Sequence, residues 1–89
     1  MSWSYDPARL EDALNWVRFR LGDTDTNDQQ LSDEELNSLL ALADTRLEAA
    51  QQAARAISAK YTRYGAQGEA EVFLRLAGQI GQELEVPYL

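Results

Sequence analysis

The amino-acid sequence predicts an all-α protein, a small bundle of four helices in a single domain of residues 1–89. Apolar residues recur at spacings of three and four in four successive stretches, which is the period of an amphipathic helix. Capping residues and glycines separate these stretches, as expected for short turns. The predicted helices cover about residues 7–21, 32–43, 44–64 and 69–85. Helices joined by short turns bury their apolar faces by packing into a bundle.

The first predicted helix begins at an Asp-Pro pair and ends at a glycine. Asp6 is a favourable N-cap, and Pro7 would occupy the first helical position, where a missing backbone N–H costs nothing. The apolar stripe then runs through Leu10, Leu14, Val17 and Leu21. Gly22 follows the last apolar residue, and glycine adopts a left-handed C-cap conformation most easily.

Residues 22–31 form a polar, acidic loop that leads into the second helix. Ser32 and Glu35 have the spacing of a capping box, in which each side chain accepts a backbone N–H of the other residue. Leu31 and Leu36 occupy the positions of a hydrophobic staple. The start of the second helix is therefore specified by adjacent residues.

The third predicted helix is the longest and is rich in alanine. Thr45 and Glu48 have the spacing of a second capping box at its start. Small side chains occupy more than one of its faces, at Ala49, Ala50, Ala53, Ala54, Ala56 and Ala59. We expect this helix to be surrounded by several neighbours, in its own chain or in another.

The fourth predicted helix follows a turn at residues 65–68. Gly78 and Gly81 are unusual inside it, because each destabilises a helix by about 1 kcal/mol relative to alanine. They permit close packing or a bend, or else the helix loosens after Gln79. Pro87 cannot continue the helix, so residues 86–89 are predicted to be an extended C-terminal tail.

Composition excludes several classes of function. The chain has no cysteine and no histidine, which removes thiol nucleophiles, the common zinc ligands and the commonest general base. We expect no enzymatic activity, metal or cofactor. A net charge of −7 argues against nucleic-acid binding, which needs a basic surface. No apolar run approaches the roughly 20 residues of a membrane span, and no signal-peptide pattern is present, so synthesis in the cytoplasm is expected.

The acidic loop offers one alternative function. Asp23, Asp25 and Asn27 have the alternating spacing of calcium ligands in an EF-hand, and Glu34 lies near the closing position. However, Asp28 stands where that loop requires glycine for a sharp turn. We therefore expect solvated carboxylates, and a calcium-binding helix–loop–helix module is the alternative.

Charge and the C-terminal tail predict partner-binding residues. Arg55, Lys60 and Arg63 make the third helix locally basic, whereas residues 23–35 contain six acidic and no basic side chains. This opposition, with Asp23 and Asp25 on its acidic side, is expected to orient one subunit against a neighbouring one; the alternative is that these charges only face solvent. The tail is predicted to dock on a partner through its last four residues, Val86, Pro87, Tyr88 and Leu89. A tail folded back over the bundle is the alternative.

Three segments together carry a family resemblance. They are Val17-Arg-Phe-Arg-Leu-Gly-Asp-Thr-Asp, Gln30-Leu-Ser-Asp-Glu-Glu-Leu-Asn and the alanine-rich residues 49–60. This pattern, over about residues 3–64, resembles the head–tail connector proteins of tailed bacteriophages, also called adaptor or head-completion proteins. The resemblance implies a helical virion protein that assembles as a ring, usually of twelve copies, beneath the portal. The ring would join the DNA-filled head to the tail or its stopper (head-closure) protein.

The resemblance also implies a position in the neck of the virion, where packaged DNA passes through the ring without sequence-specific binding. An acidic inner surface would favour this passage by like-charge repulsion. The chain departs from many such proteins after Tyr64, because only residues 65–68 stand where those proteins carry a longer, strand-forming insertion. A monomeric acidic regulatory protein is the remaining alternative.

Overall fold

Four α-helices form the protein, whose computed structural model describes residues 1–85. They are α1 (Ala13–Leu21), α2 (Asp33–Leu42), α3 (Arg46–Arg63) and α4 (Gln67–Glu85). The described residues contain no β-strand, and the predicted all-α fold is confirmed. None of these helices is both long enough and apolar enough to cross a membrane. The tail predicted at residues 86–89 lies outside the described part of the chain.

The first helix is shorter than predicted, and Asp6 does not cap it. α1 begins only at Ala13, and the Asp6 carboxylate instead accepts the Ala8 N–H at 2.9 Å within a turn. The side chain of Asn15 holds this turn, since it accepts the Asp6 N–H and donates to the Arg9 carbonyl, each at 3.0 Å. An Asp-Pro pair is as typical of a β-turn as of a helix start, which is why the prediction was wrong.

The other helix ends lie close to their predicted positions. Gly22 ends α1 in the left-handed region, with a φ of 72°. The capping box predicted at α2 is complete: Ser32 Oγ accepts the Glu35 N–H at 3.1 Å, and the Glu35 carboxylate accepts the Ser32 N–H at 3.0 Å. At α3 only half of a box forms. Thr45 Oγ1 accepts the Glu48 N–H at 3.1 Å, whereas the Glu48 carboxylate bonds to the N–H of the residue before Thr45.

α3 is the central helix, and it contacts each of the other three. Its first half presents four completely buried alanines, Ala49, Ala50, Ala53 and Ala54. Small side chains let neighbouring helices approach closely, as predicted for this segment. The core also contains Leu31 and Leu36, the predicted staple pair, both buried in the same apolar cluster.

α4 runs antiparallel to α3 and packs along most of its length. Gly65 makes the connecting turn possible with a φ of 77°. Near this turn the Ser58 hydroxyl donates to the Ala70 carbonyl at 2.7 Å, and the rings of Tyr61 and Phe73 stack at 5.8 Å. The two helices therefore form a hairpin, to which α1 and α2 add mainly through α3.

The two unusual glycines of α4 have different surroundings. A Cβ atom added to Gly81 would lie 2.8 Å from Gln51 Nε2, which is the end of a flexible side chain and can move aside. A Cβ atom added to Gly78 would meet nothing within 4 Å. Packing among the described residues therefore requires glycine at neither position.

Candidate functional site

A completely buried arginine, Arg18, joins α1 to the acidic loop and to α2. Its Nη1 donates to the Asp23 carboxylate, which is also fully buried, and to the Leu31 carbonyl at 2.8 Å. Its Nε donates to the Ser4 carbonyl at 2.7 Å, and its Nη2 donates to Asp33 at 2.7 Å. A buried charge is tolerated only when it is paired and hydrogen-bonded, and this guanidinium meets both conditions.

Asp23 is engaged on all sides by its own chain. Besides the arginine, its carboxylate accepts Trp3 Nε1–H at 3.2 Å and the backbone N–H groups of Gln30 and Leu31 at 3.0 and 3.3 Å. The prediction that Asp23 contacts a partner is therefore wrong, because a fully buried side chain cannot reach a neighbour. The same contacts occupy the oxygens that would begin a calcium site.

The N-terminal segment lies across the start of α2 and covers the buried arginine. Ser2 donates through its N–H to Glu34 at 2.7 Å, and its carbonyl accepts the Asp33 N–H at 2.7 Å. Ser4 donates to Asp33 through its N–H at 3.0 Å and its hydroxyl at 2.8 Å. The Trp3 ring centroid lies 4.8 Å from the guanidinium carbon. These two segments are about 30 residues apart, and no motif of neighbouring residues predicts that they hydrogen-bond to each other.

The three carboxylates in the first turn of α2 have lowered pKa values. Burial acts to raise the pKa of Asp33, but hydrogen bonds from the buried guanidinium and from the N-terminal segment outweigh it and leave that pKa below its ordinary value. Hydrogen bonds from Ser2 lower the pKa of Glu34. The N–H of Ser32 lowers the pKa of Glu35. All three groups are thus held as anions at the positive end of the helix dipole.

The basic residues of α3 divide into two sets. Lys60 lies 3.0 Å from the Glu35 carboxylate, so this predicted partner-binding residue is already paired within its own chain. It points towards α2, whereas Arg55 and Arg63 are exposed and form no ion pair among residues 1–85. Asp25 is exposed on the loop, where its carboxylate accepts a backbone N–H two residues later. Arg55, Arg63 and Asp25 therefore remain accessible to a partner.

Trp16 lies between two guanidinium groups at the junction of α1 and α3. The carbon of the Arg46 guanidinium is 4.4 Å from the ring centroid, and that of Arg20 is 5.8 Å away on α1 itself. Arg20 also pairs with Glu83, which ties α1 to the end of α4. These contacts leave Trp16 half-buried within the subunit.

Several large apolar side chains are exposed on this small domain. They are Met1, Phe19, Leu42, Tyr64, Val72, Leu74 and Leu84. Single exposed apolar residues are common on protein surfaces. Two of them line surface concavities: Leu74 lines one of about 260 Å³, together with Glu71 and Arg75, and Tyr64 lines another.

A second concavity, of about 270 Å³, lies between the acidic loop and the end of α3. It is lined by Gln29, Gln30, Lys60, Tyr61 and Tyr64. The Tyr61 hydroxyl donates to the Gln30 side chain at 2.8 Å, so these groups mainly hold the loop against the bundle.

No group of three or more acidic, histidine or cysteine side chains in the described residues is placed to hold a metal ion. The predicted docking residues Val86, Pro87, Tyr88 and Leu89 lie outside residues 1–85.

Comparisons with protein-family models, curated proteins and solved structures found no match to this chain.

Proposed function

We propose that this protein is a structural subunit of the head–tail connector of a tailed bacteriophage. Copies would assemble as a ring beneath the portal and join the DNA-filled head to the tail or its stopper. The observation that carries the proposal is the exposure of several large apolar side chains, together with charged groups of both signs, on a very small domain. A subunit packed between two copies of itself needs contact surfaces of this kind.

The resemblance motifs coincide with one structural unit. Arg18, Gly22 and Asp23 supply the buried cation, the end of α1 and the buried anion, while Ser32 and Glu35 start α2. This unit is cross-linked by charged hydrogen bonds, which are stronger than neutral ones. It supports the proposal because a ring subunit must keep its shape under contact from both sides.

The accessible charges suit a head-to-tail contact between subunits. Arg55 and Arg63 lie on α3, and Asp25 lies on the loop, so the two signs occupy different regions of the surface. A contact between unlike patches is heterologous, and it generates a closed ring or an open filament. Exposed charge pairs are worth only about 0–1 kcal/mol each, so they set the orientation of the subunits more than their affinity.

The excess of acidic residues is compatible with a channel for DNA. The chain carries 15 acidic and 8 basic residues, and ring formation would use some of the exposed basic ones between subunits. A channel surface left acidic repels the DNA backbone and lets the genome slide past without being bound.

The assembly step is tested by charge reversal. Sedimentation velocity and negative-stain electron microscopy of the concentrated protein should reveal annular particles of one size. Arg55→Glu together with Arg63→Glu should abolish them, and adding Asp25→Lys should restore them in part. Arg9→Glu is the control, because Arg9 is exposed and paired only with Asp12 of its own α1 region. A protein that stays monomeric at millimolar concentration would contradict ring assembly.

The whole function is tested in particles. Phage lacking this protein should accumulate DNA-filled heads and free tails, and adding the purified protein to the separated parts should restore infectious particles. Normal joining of heads and tails in its absence would refute the proposed role.

A further inference from the structure

We propose that the chain has a second folded form, in which α1 begins at Pro7 and the N-terminal segment is released from α2. We call residues 2–5 the strap, and residues 6–12, which join the strap to α1, the link. In the described form the strap is bound and the link consists of turns. Release occurs within a single subunit, so it does not depend on the proposed ring.

The link has a sequence that also fits a helix. Asp6 and Pro7 suit an N-cap and the first helical position. Residues 8–11 are Ala-Arg-Leu-Glu, all of which have high helix propensity. Leu10 lies four residues before Leu14, so a longer helix continues the apolar stripe of α1. Local preference therefore allows the link a helical form as well as its turns.

The turns of the link are close to helical in their bonding. The Arg9 N–H donates to the Asp6 carbonyl, and the Asp12 N–H donates to the Arg9 carbonyl, each at 3.1 Å. Each bond joins residues three apart, whereas an α-helix joins residues four apart. The Asp6 carboxylate accepts the Ala8 N–H at 2.9 Å, the contact that an N-cap makes with the second helical residue. Conversion to a helix therefore moves each carbonyl bond by one residue.

Asn15 stabilises the turns and not the helix. Its side chain is buried, accepts the Asp6 N–H and donates to the Arg9 carbonyl, each at 3.0 Å. In a continuous helix Asp6 would lie nine residues before Asn15, about 14 Å away along the axis. Both bonds therefore belong to the described form alone.

The strap cannot keep its contacts when the link becomes helical. The Ser4 carbonyl accepts Arg18 Nε–H at 2.7 Å, and Asp23 holds the same guanidinium in place. A helix from Pro7 puts that residue about 16 Å from Arg18 along the axis. The three residues from Ser4 to Pro7 span at most about 11 Å. Helix formation in the link and release of the strap are therefore one event.

The strap acts as a latch over a buried charge. The Trp3 ring lies 4.8 Å from the Arg18 guanidinium carbon and leaves together with the strap. The guanidinium then keeps Asp23, Asp33 and the Leu31 carbonyl as acceptors and gains water on the uncovered side. The described hydrogen bonds of the strap go to α1, the acidic loop and the start of α2, so the α3–α4 hairpin is unchanged by release.

Hydrogen exchange followed by NMR on the purified full chain tests this coupling. Release frees the Ser4 N–H from Asp33 and the Trp3 indole N–H from Asp23, so their exchange rates report the released population. Glu11 is exposed in the link, and glycine disfavours a helix interior about fivefold relative to alanine. Both rates should be at least threefold slower in Glu11→Gly than in Glu11→Ala.

Two controls accompany this comparison. Asp28→Gly and Asp28→Ala, the same pair at an exposed position outside the link, should give equal strap exchange rates. The N–H of Ile57, in the core of α3, should exchange equally in both Glu11 variants. Equal strap rates in Glu11→Gly and Glu11→Ala would mean that the strap opens without a helix, and the proposal would be wrong.

Removing the contacts of the strap tests the coupling from its other end. Ser2→Ala with Ser4→Ala deletes the two hydroxyls that donate to Glu34 and Asp33 and leaves the link unaltered. The Cα chemical shifts of residues 7–12 should then move towards helical values, and Asn15→Ala should move them the same way. Link shifts that stay turn-like or become those of random coil, while the strap exchanges faster, would overturn the inference.

Discussion

Removing the carboxylate of Asp23 should take away a large share of the stability of this protein. In an Asp23→Ala variant, the fully buried Arg18 loses its buried counter-ion and retains Asp33 and two carbonyl groups as acceptors. The indole N–H of Trp3 and the backbone N–H groups of Gln30 and Leu31 lose their acceptor as well. Every one of these groups would have to find water or rearrange.

The expected loss is large relative to the whole stability of the fold. Breaking a buried ion pair by removing one partner costs about 3–5 kcal/mol, and a domain of this size is stable by about 5–10 kcal/mol. The melting temperature should fall by at least about 12 °C, since 1 kcal/mol shifts it by about 4–8 °C in a domain of this length. Replacing both members, with Arg18→Met and Asp23→Leu, should cost much less than the two single changes added together, because no fully buried charge is left unpaired. Asp33, the other partner of Arg18, is partly exposed and keeps its hydrogen bonds from Ser4.

Urea unfolding followed by tryptophan fluorescence measures these differences, and Trp3 reports directly because its ring lies over the guanidinium. Asp28→Ala is the matched control: Asp28 is exposed on the same loop, and its carboxylate accepts only from the Gln30 side chain at 3.1 Å. That change should stay within about 0.5 kcal/mol of the wild type. An Asp23→Ala protein that lost less than about 1 kcal/mol would refute the reasoning.

Three further predictions concern the start of α2 and the loop. Ser32→Ala should lower the free energy of unfolding by about 1 kcal/mol through the lost cap; unchanged stability with abolished assembly would instead place Ser32 in an interface. Because the pKa values of Asp33, Glu34 and Glu35 are lowered in the folded chain, the unfolded chain binds protons first as the pH falls. Stability should therefore be constant above about pH 6 and decline from about pH 5 downwards, past the ordinary carboxyl pKa values near 4; Asp33→Asn should flatten this decline in urea titrations. Calcium at millimolar concentration should leave the melting temperature unchanged, since Asp23 is engaged by its own chain; a specific site of sub-millimolar affinity would contradict this.

The parts of the fold that could be predicted are those specified by adjacent residues. The Ser32 and Glu35 box, the left-handed Gly22 and the small-residue surface of α3 each depend on a few neighbouring positions. The predicted start of α1 was wrong because it depends on a residue farther along the chain. Asp6 and Pro7 fit a turn as well as a helix, and the choice was made by the side chain of Asn15, which acts from within the helix itself.

The buried ion pair could not be predicted, because its members look like surface residues. Arg18 lies off the centre of the apolar stripe of α1, and Asp23 is one of six acidic residues in a polar stretch. Nothing local distinguishes Asp23 from Asp25, yet one is fully buried and the other is exposed. The difference arises from the turn at Gly22, which directs the next residue back under the N-terminal segment.

The acidic residues of the loop have two different surroundings, and this difference bears on the assembly that we propose. Asp23 is used inside the molecule, where it fixes the loop against α1 and α2 through Arg18. Asp25 and Asp28 are held outward on the same fixed loop. A loop anchored in this way presents its outer residues in one arrangement, so little conformational entropy is lost when a partner binds them. In the proposed assembly, the buried pair would therefore contribute to recognition indirectly. Its loss should weaken self-association even under conditions where the Asp23→Asn protein, which keeps the shape of the side chain without its charge, is still folded.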